Sequence, residues 1–271
     1  MVEALGYDFM RNALAAGLLA SLACGMVGSL VVVNRIGFIT GGLAHAAYGG
    51  IGLAFFLGWP VLPTTLAFCL VVSALMGWIT QRQRERADTV IGVMWAVGMA
   101  MGIILVDLSP GYGVDLLSYL FGSIVAVSRG DLWAMAAVDA AALAVILVFY
   151  KGFLALSFDV EFARARGVPV AALHYLLLAF IAGAVVMLMR VVGLILVIAL
   201  LTIPPYIAER FTRSLASMMI LATVLSALFV SAGLWMSYEF NLSSGASIIA
   251  VGAAAFAISA GAGVWRRHGR E

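Results

Sequence analysis

An all-α integral membrane protein is what this sequence predicts, and three observations carry the prediction. Hydrophobic residues make up 65% of the chain, charged residues only 10%, and the mean hydropathy is +1.14. A soluble globule of 271 residues needs far more polar surface than this to face water.

A bilayer core takes roughly 20 apolar residues per helix. Nine stretches qualify: 10–33, 43–58, 61–80, 89–107, 131–150, 171–189, 191–208, 215–236 and 245–265. A tenth apolar run, 115–127, is too brief to span and reads as a re-entrant or interfacial helix. The expected fold is thus about eight to nine transmembrane helices plus that short helix. The whole chain, 1–271, reads as one transmembrane domain with no soluble domain at either end. Glu3 and Asp8 precede the first apolar run and only Arg11 is basic there, a pattern that argues against a cleavable signal. Cys24 and Cys69 sit mid-segment, where a small apolar side chain explains them better than a disulfide or ligand pair.

Orientation follows from the basic residues, because positively charged loops stay cytoplasmic. With "QRQRERAD" (81–88) inside, the nine-helix count gathers Arg35, Arg82, Arg84, Arg86, Lys151, Arg164, Arg166, Arg210, Arg213, Arg266, Arg267 and Arg270 on one side. Those are twelve of the fifteen basic residues, leaving Arg11, Arg129 and Arg190 outside. The N-terminus is expected outside and the C-terminus in the cytoplasm.

The inner loop, "KGFLALSFDVEFARARGVPV" (151–170), holds a small helix of its own. Asp159 and Glu161 fall in its first turn and Arg164 and Arg166 in its last, as the helix dipole favours, while Gly167 closes it and Pro169 prevents continuation. Phe158, Phe162 and Ala165 recur at i, i+4 and i+7, giving a narrow apolar stripe. On this segment two readings stand: an amphipathic turn resting on the bilayer, or a docking element for a cytoplasmic partner.

Several chemistries are missing. The one lysine, Lys151, is not part of a Gly-Lys-Ser/Thr loop, so the chain cannot carry a P-loop. Neither a His-Glu-x-x-His pair nor a Gly-x-Ser-x-Gly elbow occurs. If ATP drives transport, its hydrolysis belongs to another chain. No enzyme activity, no permanently bound cofactor and no nucleic-acid partner are expected.

A charge near the bilayer centre costs about 3 kcal/mol on insertion scales, so intramembrane ionisable groups are informative. His45 lies about a turn into the second span, Asp88 and Asp107 bracket the fourth, and Asp139 falls midway along the fifth. Asp115, Asp131 and Glu239 mark outer boundaries. Asp139 reads as a bond to a neighbouring helix, and this spread of acids lacks the paired carboxylates of an ion-coupled relay. Gly42, Ala46, Gly49 and Gly50 on one span, and Gly98 with Gly102 on another, are spaced for close helix packing. For His45 two readings also stand: a neutral ring bonded to a backbone carbonyl, or a contact on a narrow ion pathway. Met94, Met99 and Met101 offer thioether sulfur to a soft ion, but apolar packing accounts for them.

Taken in order, "LAHAAYGGIG", "DTVIGV" (88–93), "DLLSYLFGSIVAVS" (115–128), "FDVEFARARGV", "VVGLILVIALLTIPPYIAERF" and "GLWMSYEFNLSSGASI" resemble the permease subunits of the zinc and manganese family of ABC-type metal importers. The likeness runs from about 24 to 262. It departs at Ala44 and Gly41, where that family often has serine and aspartate, and at Ser243, where it often has proline.

The resemblance implies two permease copies, in all expectation a homodimer, forming a pathway in the prokaryotic inner (plasma) membrane. An extracytoplasmic metal-binding protein would deliver the ion, and two cytoplasmic ATPase subunits would dock beneath. It makes 158–168 the coupling helix, with Phe158 and Phe162 as anchors and Asp159, Glu161, Arg164, Arg166 and Gly167 completing the contact. It places His45 on the metal path, with Asp115, Asp107 and Glu239 at the outer mouth. Imidazole suits zinc and carboxylate suits manganese, so zinc is the first expectation and manganese or iron(II) the next. The rival classes are an ion-coupled secondary transporter and an ABC permease for a chelate such as a siderophore or cobalamin.

Overall fold

The computed structural model describes residues 6–82, 86–109, 122, 124 and 127–268. Ten helices follow along them: α1 (Asp8–Val33), α2 (Gly37–Leu57), α3 (Val61–Arg82), α4 (Ala87–Asp107), α5 (Arg129–Phe158), α6 (Val160–Ala165), α7 (Val170–Val192), α8 (Leu194–Glu209), α9 (Leu215–Phe240) and α10 (Ser244–His268). Among the described residues eight helices are long and apolar enough to cross a membrane, while α8, with 16 residues, is shorter. The expected helix at 115–127 falls mostly outside the described residues, of which only Gly122, Ile124 and Val127 belong to it.

α1 and α2 are the most buried of the long helices, and with α7 they form the centre on which the others pack. α9 lies along α1, α3 lies between α2 and α7, and α10 closes against α8 and α9. The outward faces of α3, α4, α5, α9 and α10 are apolar and exposed, as at Val71, Val97, Leu147, Ile220 and Ile258, which is the surface hydrocarbon would cover.

Helix boundaries depart from the periodicity at three places. α2 begins at Gly37 rather than 43, because the turn before it is tightened by Arg35 in the left-handed region (φ 57) and by Asn34. The Asn34 amide donates to the Leu30 carbonyl at 2.8 Å and to the Ser157 hydroxyl at 2.9 Å, tying the α1–α2 turn to the end of α5. His45 consequently lies about 12 Å along α2, by the rise of about 1.5 Å per residue, which is deeper than the single turn expected. α5 continues past 150 to Phe158 across a kink at Phe149 (φ −101, ψ 15), so most of the inner loop's first half is membrane-helix extension.

The third departure is at Gly193. Where a span was expected at 191–208, α7 runs on to Val192 and the chain reverses through Gly193 (φ 82, ψ 159) before α8 begins. That backbone region is open essentially to glycine alone. Gly122 docks onto the break, its missing side chain leaving room where a Cβ would stand 2.1 Å from the Gly193 nitrogen. Replacing Gly193 with alanine is therefore expected to cost about 1–3 kcal/mol from backbone strain. A lowered melting temperature of the detergent-solubilised protein would register it, and an unchanged one would contradict this account of the turn.

Candidate translocation pathway and coupling surface

α2 and α4 run parallel, and glycine sets how close they come. A Cβ on Gly42 would stand 2.4 Å from the Ile91 side chain, one on Gly98 would stand 2.7 Å from the Ala46 Cα, and one on Gly102 would stand 2.3 Å from the Tyr48 carbonyl oxygen. Gly52, which the periodicity did not single out, meets the Gly102 backbone at 2.3 Å in the same sense. Gly49 and Gly50 face α3 instead, against Phe68 and Thr65. From Gly98 to Gly102 the seam is backbone against backbone, which makes α2 and α4 a stiff pair there.

His45 sits on this pair, half-buried. Its Nδ1 lies 2.8 Å from the Gly41 carbonyl, so Nδ1 carries the proton and donates. Nε2 makes no hydrogen bond among the described residues and is not sealed in protein. The ring lies against Trp95 of α4, with centroids 3.9 Å apart and planes 30° apart, and the Trp95 Nε1–H donates to the Met99 sulfur at 3.3 Å. One turn before it on α2, nothing lies within 4 Å of where a Cβ on Gly41 would be. The ring thus lies half-buried against Trp95 on the α2–α4 pair.

The acids expected to share an ion with His45 are not gathered there. Asp107 ends α4 and Glu239 sits in the last turn of α9, both exposed, and Asp115 lies outside the described residues. Among the described residues no three His, Cys, Asp or Glu side chains are grouped closely enough to hold a metal ion. Asp139 is 5% exposed on α5 beside Cys24 of α1, and its buried Oδ2 has no hydrogen-bond partner among the described residues, where the expected bond to a neighbouring helix is not made. Both cysteines are free and buried.

At the end of the bundle where α2, α4 and α7 begin, α6 projects as a separate short helix. Asp159, in extended conformation, caps it by accepting from the Glu161 and Phe162 amides at 3.0 and 2.9 Å. Gly167 (φ 74) ends it, and Arg164 pairs with Glu161 at 3.0 Å on the exposed surface. Phe158 is the last residue of α5 and stands outside α6, a correction to the expected helix of 158–168. The expected stripe also changes sense: Phe158 is 76% and Phe162 55% exposed, Ala165 is exposed, and the residue buried against the bundle is Ala163. Arg166 lies 5.1 Å over the Phe162 ring. α6 leans chiefly on α5 and α7, and a cleft of about 380 Å³, lined by Arg35, Asp88, Arg164 and His174 among others, separates it from the starts of α2 and α4.

Sequence reasoning missed Trp95, Gly52 and Ala163. Gly52 continues the spacing of Gly42 and Gly49 and was legible; which tryptophan faces the histidine was not.

A helical membrane bundle with a capped helix projecting from one end, its aromatic side chains outward, has the build of a membrane permease with a docking element. The match is to the ABC 3 transport family over residues 6–262, and the chain belongs to that family. It is 52% identical over 259 residues to the uncharacterized membrane protein slr2045 of Synechocystis sp., covering 96% of this chain and 92% of that one. It is 31% identical over 257 residues to the manganese transport system membrane protein MntC of Halalkalibacterium halodurans, covering 95% and 88%. Among solved structures it resembles PsaBC from Streptococcus pneumoniae in complex with Fab, with a TM-score of 0.86, 32% identity, and coverage of 95% of this chain and 93% of that one.

Proposed function

We propose that this chain is the membrane subunit of an ATP-driven importer of a divalent transition metal ion, with zinc as the cargo. The observation that carries the reading is His45, a half-buried imidazole well inside α2 that is stacked on Trp95 and whose Nε2 makes no hydrogen bond among the described residues. An imidazole nitrogen at membrane depth is costly without a use, and a passing metal ion would supply one. A site that must release its ion is weak, so a single imidazole from each of two copies suits the task better than a full cage. An imidazole ligand suits zinc better than manganese, which prefers carboxylate oxygen. The manganese transport system membrane proteins among its relatives favour manganese, which is the second reading.

In this reading the whole chain, 1–271, acts as one permease unit of a homodimer. The α6 end faces the cytoplasm, with the N-terminus outside and the C-terminus inside. An ATPase subunit docks on α6 through Phe158 and Phe162, oriented by Asp159, Glu161, Arg164 and Arg166. An extracytoplasmic protein delivers the metal to an outer mouth near Asp107, Asp115 and Glu239.

The test is uptake by the reconstituted transporter, with its ATPase and binding protein, of radiolabelled zinc and manganese at equal concentrations. Zinc uptake is expected to dominate, and His45→Ala is expected to reduce it by more than about tenfold, the scale of losing one metal contact. Uptake independent of ATP would favour the secondary-transporter class. Full uptake by His45→Ala would remove the metal path from α2.

A further inference from the structure

We infer that Trp95 is a positioning residue for metal passage: it fixes the plane of the His45 imidazole and with it the direction in which Nε2 presents its lone pair. The inference rests on the proposed role of His45 as a metal contact.

One hydrogen bond does not orient an imidazole. The bond from Nδ1 to the Gly41 carbonyl pins one corner of the ring, but the ring can still swing about that corner and change where Nε2 points. The second restraint comes from the facing helix. The Trp95 indole covers one face of the ring at a centroid distance of 3.9 Å, close enough that the ring cannot turn on edge without displacing it. The indole is itself held by the bond from its Nε1–H to the Met99 sulfur, one turn further along α4.

The restraint is only as firm as the frame that carries it, and here the frame is stiff. His45 and Trp95 each lie eight residues beyond the start of their helices, hence at matching depth, and the Gly98–Ala46 and Gly102–Tyr48 approaches lock the two helices in register just beyond them. The stacking contact therefore belongs to a rigid pair. A metal-bound imidazole also carries positive charge, which the face of an indole attracts. Trp95 thus favours the loaded ring as well as aiming the empty one.

The experiment compares zinc uptake by the reconstituted transporter with native Trp95, with Trp95→Leu, and with Trp95→Phe. Leucine keeps apolar bulk in the gap but offers no ring face; phenylalanine restores the face. Supporting groups around a metal-binding histidine typically govern about 10–100-fold in affinity. Trp95→Leu is accordingly expected to raise the zinc concentration for half-maximal uptake by about tenfold or more, with the maximal rate changed far less, and Trp95→Phe to restore most of the loss. A merely structural role would instead lower the amount of folded transporter and its maximal rate, leaving the half-maximal concentration in place. If His45→Ala impairs uptake while Trp95→Leu leaves the half-maximal concentration unchanged, the positioning role is overturned and the metal path through His45 stands. If His45→Ala itself has no effect, the path reading fails and this inference fails with it.

Discussion

Phe162→Asp abolishes ATP-driven uptake while leaving the protein folded and in the membrane. The side chain is 55% exposed on a six-residue helix and contributes little to the core, which closes on Ala163 instead. Its removal therefore spares the fold. What it takes away is an aromatic anchor on a short helix that has no other large apolar group, and such anchors commonly carry 2 kcal/mol or more of an interface, a loss of about thirtyfold in binding. Aspartate adds repulsion, because Asp159 and Glu161 already place two carboxylates on that turn. It also deprives Arg166 of the ring over which it lies. The measurements are metal uptake by the reconstituted transporter and retention of the ATPase during purification; both should fall together, with membrane abundance unchanged. Normal uptake by this variant would mean that α6 is not where the ATPase pulls.

Gly102→Val is expected to be the most damaging single change within the membrane. At position 102 the nearest obstacles to a Cβ are the Tyr48 carbonyl oxygen at 2.3 Å, its carbon at 2.5 Å and the Gly49 nitrogen at 2.9 Å, all backbone. A flexible side chain could move aside, but a helix backbone can yield only by displacing the whole helix. Overpacking of a well-packed core costs typically about 1–3 kcal/mol, and a branched side chain against backbone belongs at the upper end or beyond. The separation also pulls Trp95 from His45, so metal uptake should fall more steeply than stability. Gly183→Ala is the control, since nothing lies within 4 Å of its Cβ position. A melting temperature for Gly102→Val as high as for that control would refute the seam.

The balance between sequence and structure is clearest in α6. Asp159, Gly167 and Pro169 announce a short helix between two spans, because capping and termination are local chemistry that a few neighbouring residues settle. Which residues of that helix face the bundle was not legible: the spacing of Phe158, Phe162 and Ala165 suggested one stripe, yet Ala163 is the buried one. Six residues make less than two turns, too few for periodicity to define a face, and the end of α5 carries Phe158 away from the helix axis. In membranes the difficulty is general, since lipid-facing and core-facing residues are both apolar and the pattern that reveals a buried face in water is erased.

The candidate pathway divides along the same line. His45 among glycines was visible as an ionisable ring in an apolar segment, and the glycines announced close packing. The partnership with Trp95 was not, because the two rings are fifty residues apart and meet only when α2 and α4 lie parallel in one particular register. Asp139 shows the converse, a carboxyl expected to find a partner and left with Oδ2 unpaired among the described residues.

The sequence by itself determined the membrane class, the approximate number and order of spans, the capped helix at one end and the family likeness, all of which follow from composition and short-range chemistry. Only the tertiary structure decided that the stretch expected at 191–208 starts after a break at Gly193 as a 16-residue helix, that α2 and α4 form one rigid unit, and that one tryptophan stacks on the histidine. Those outcomes depend on which backbone surfaces meet, and in an apolar solvent that choice is made by steric fit between distant segments rather than by hydropathy along the chain.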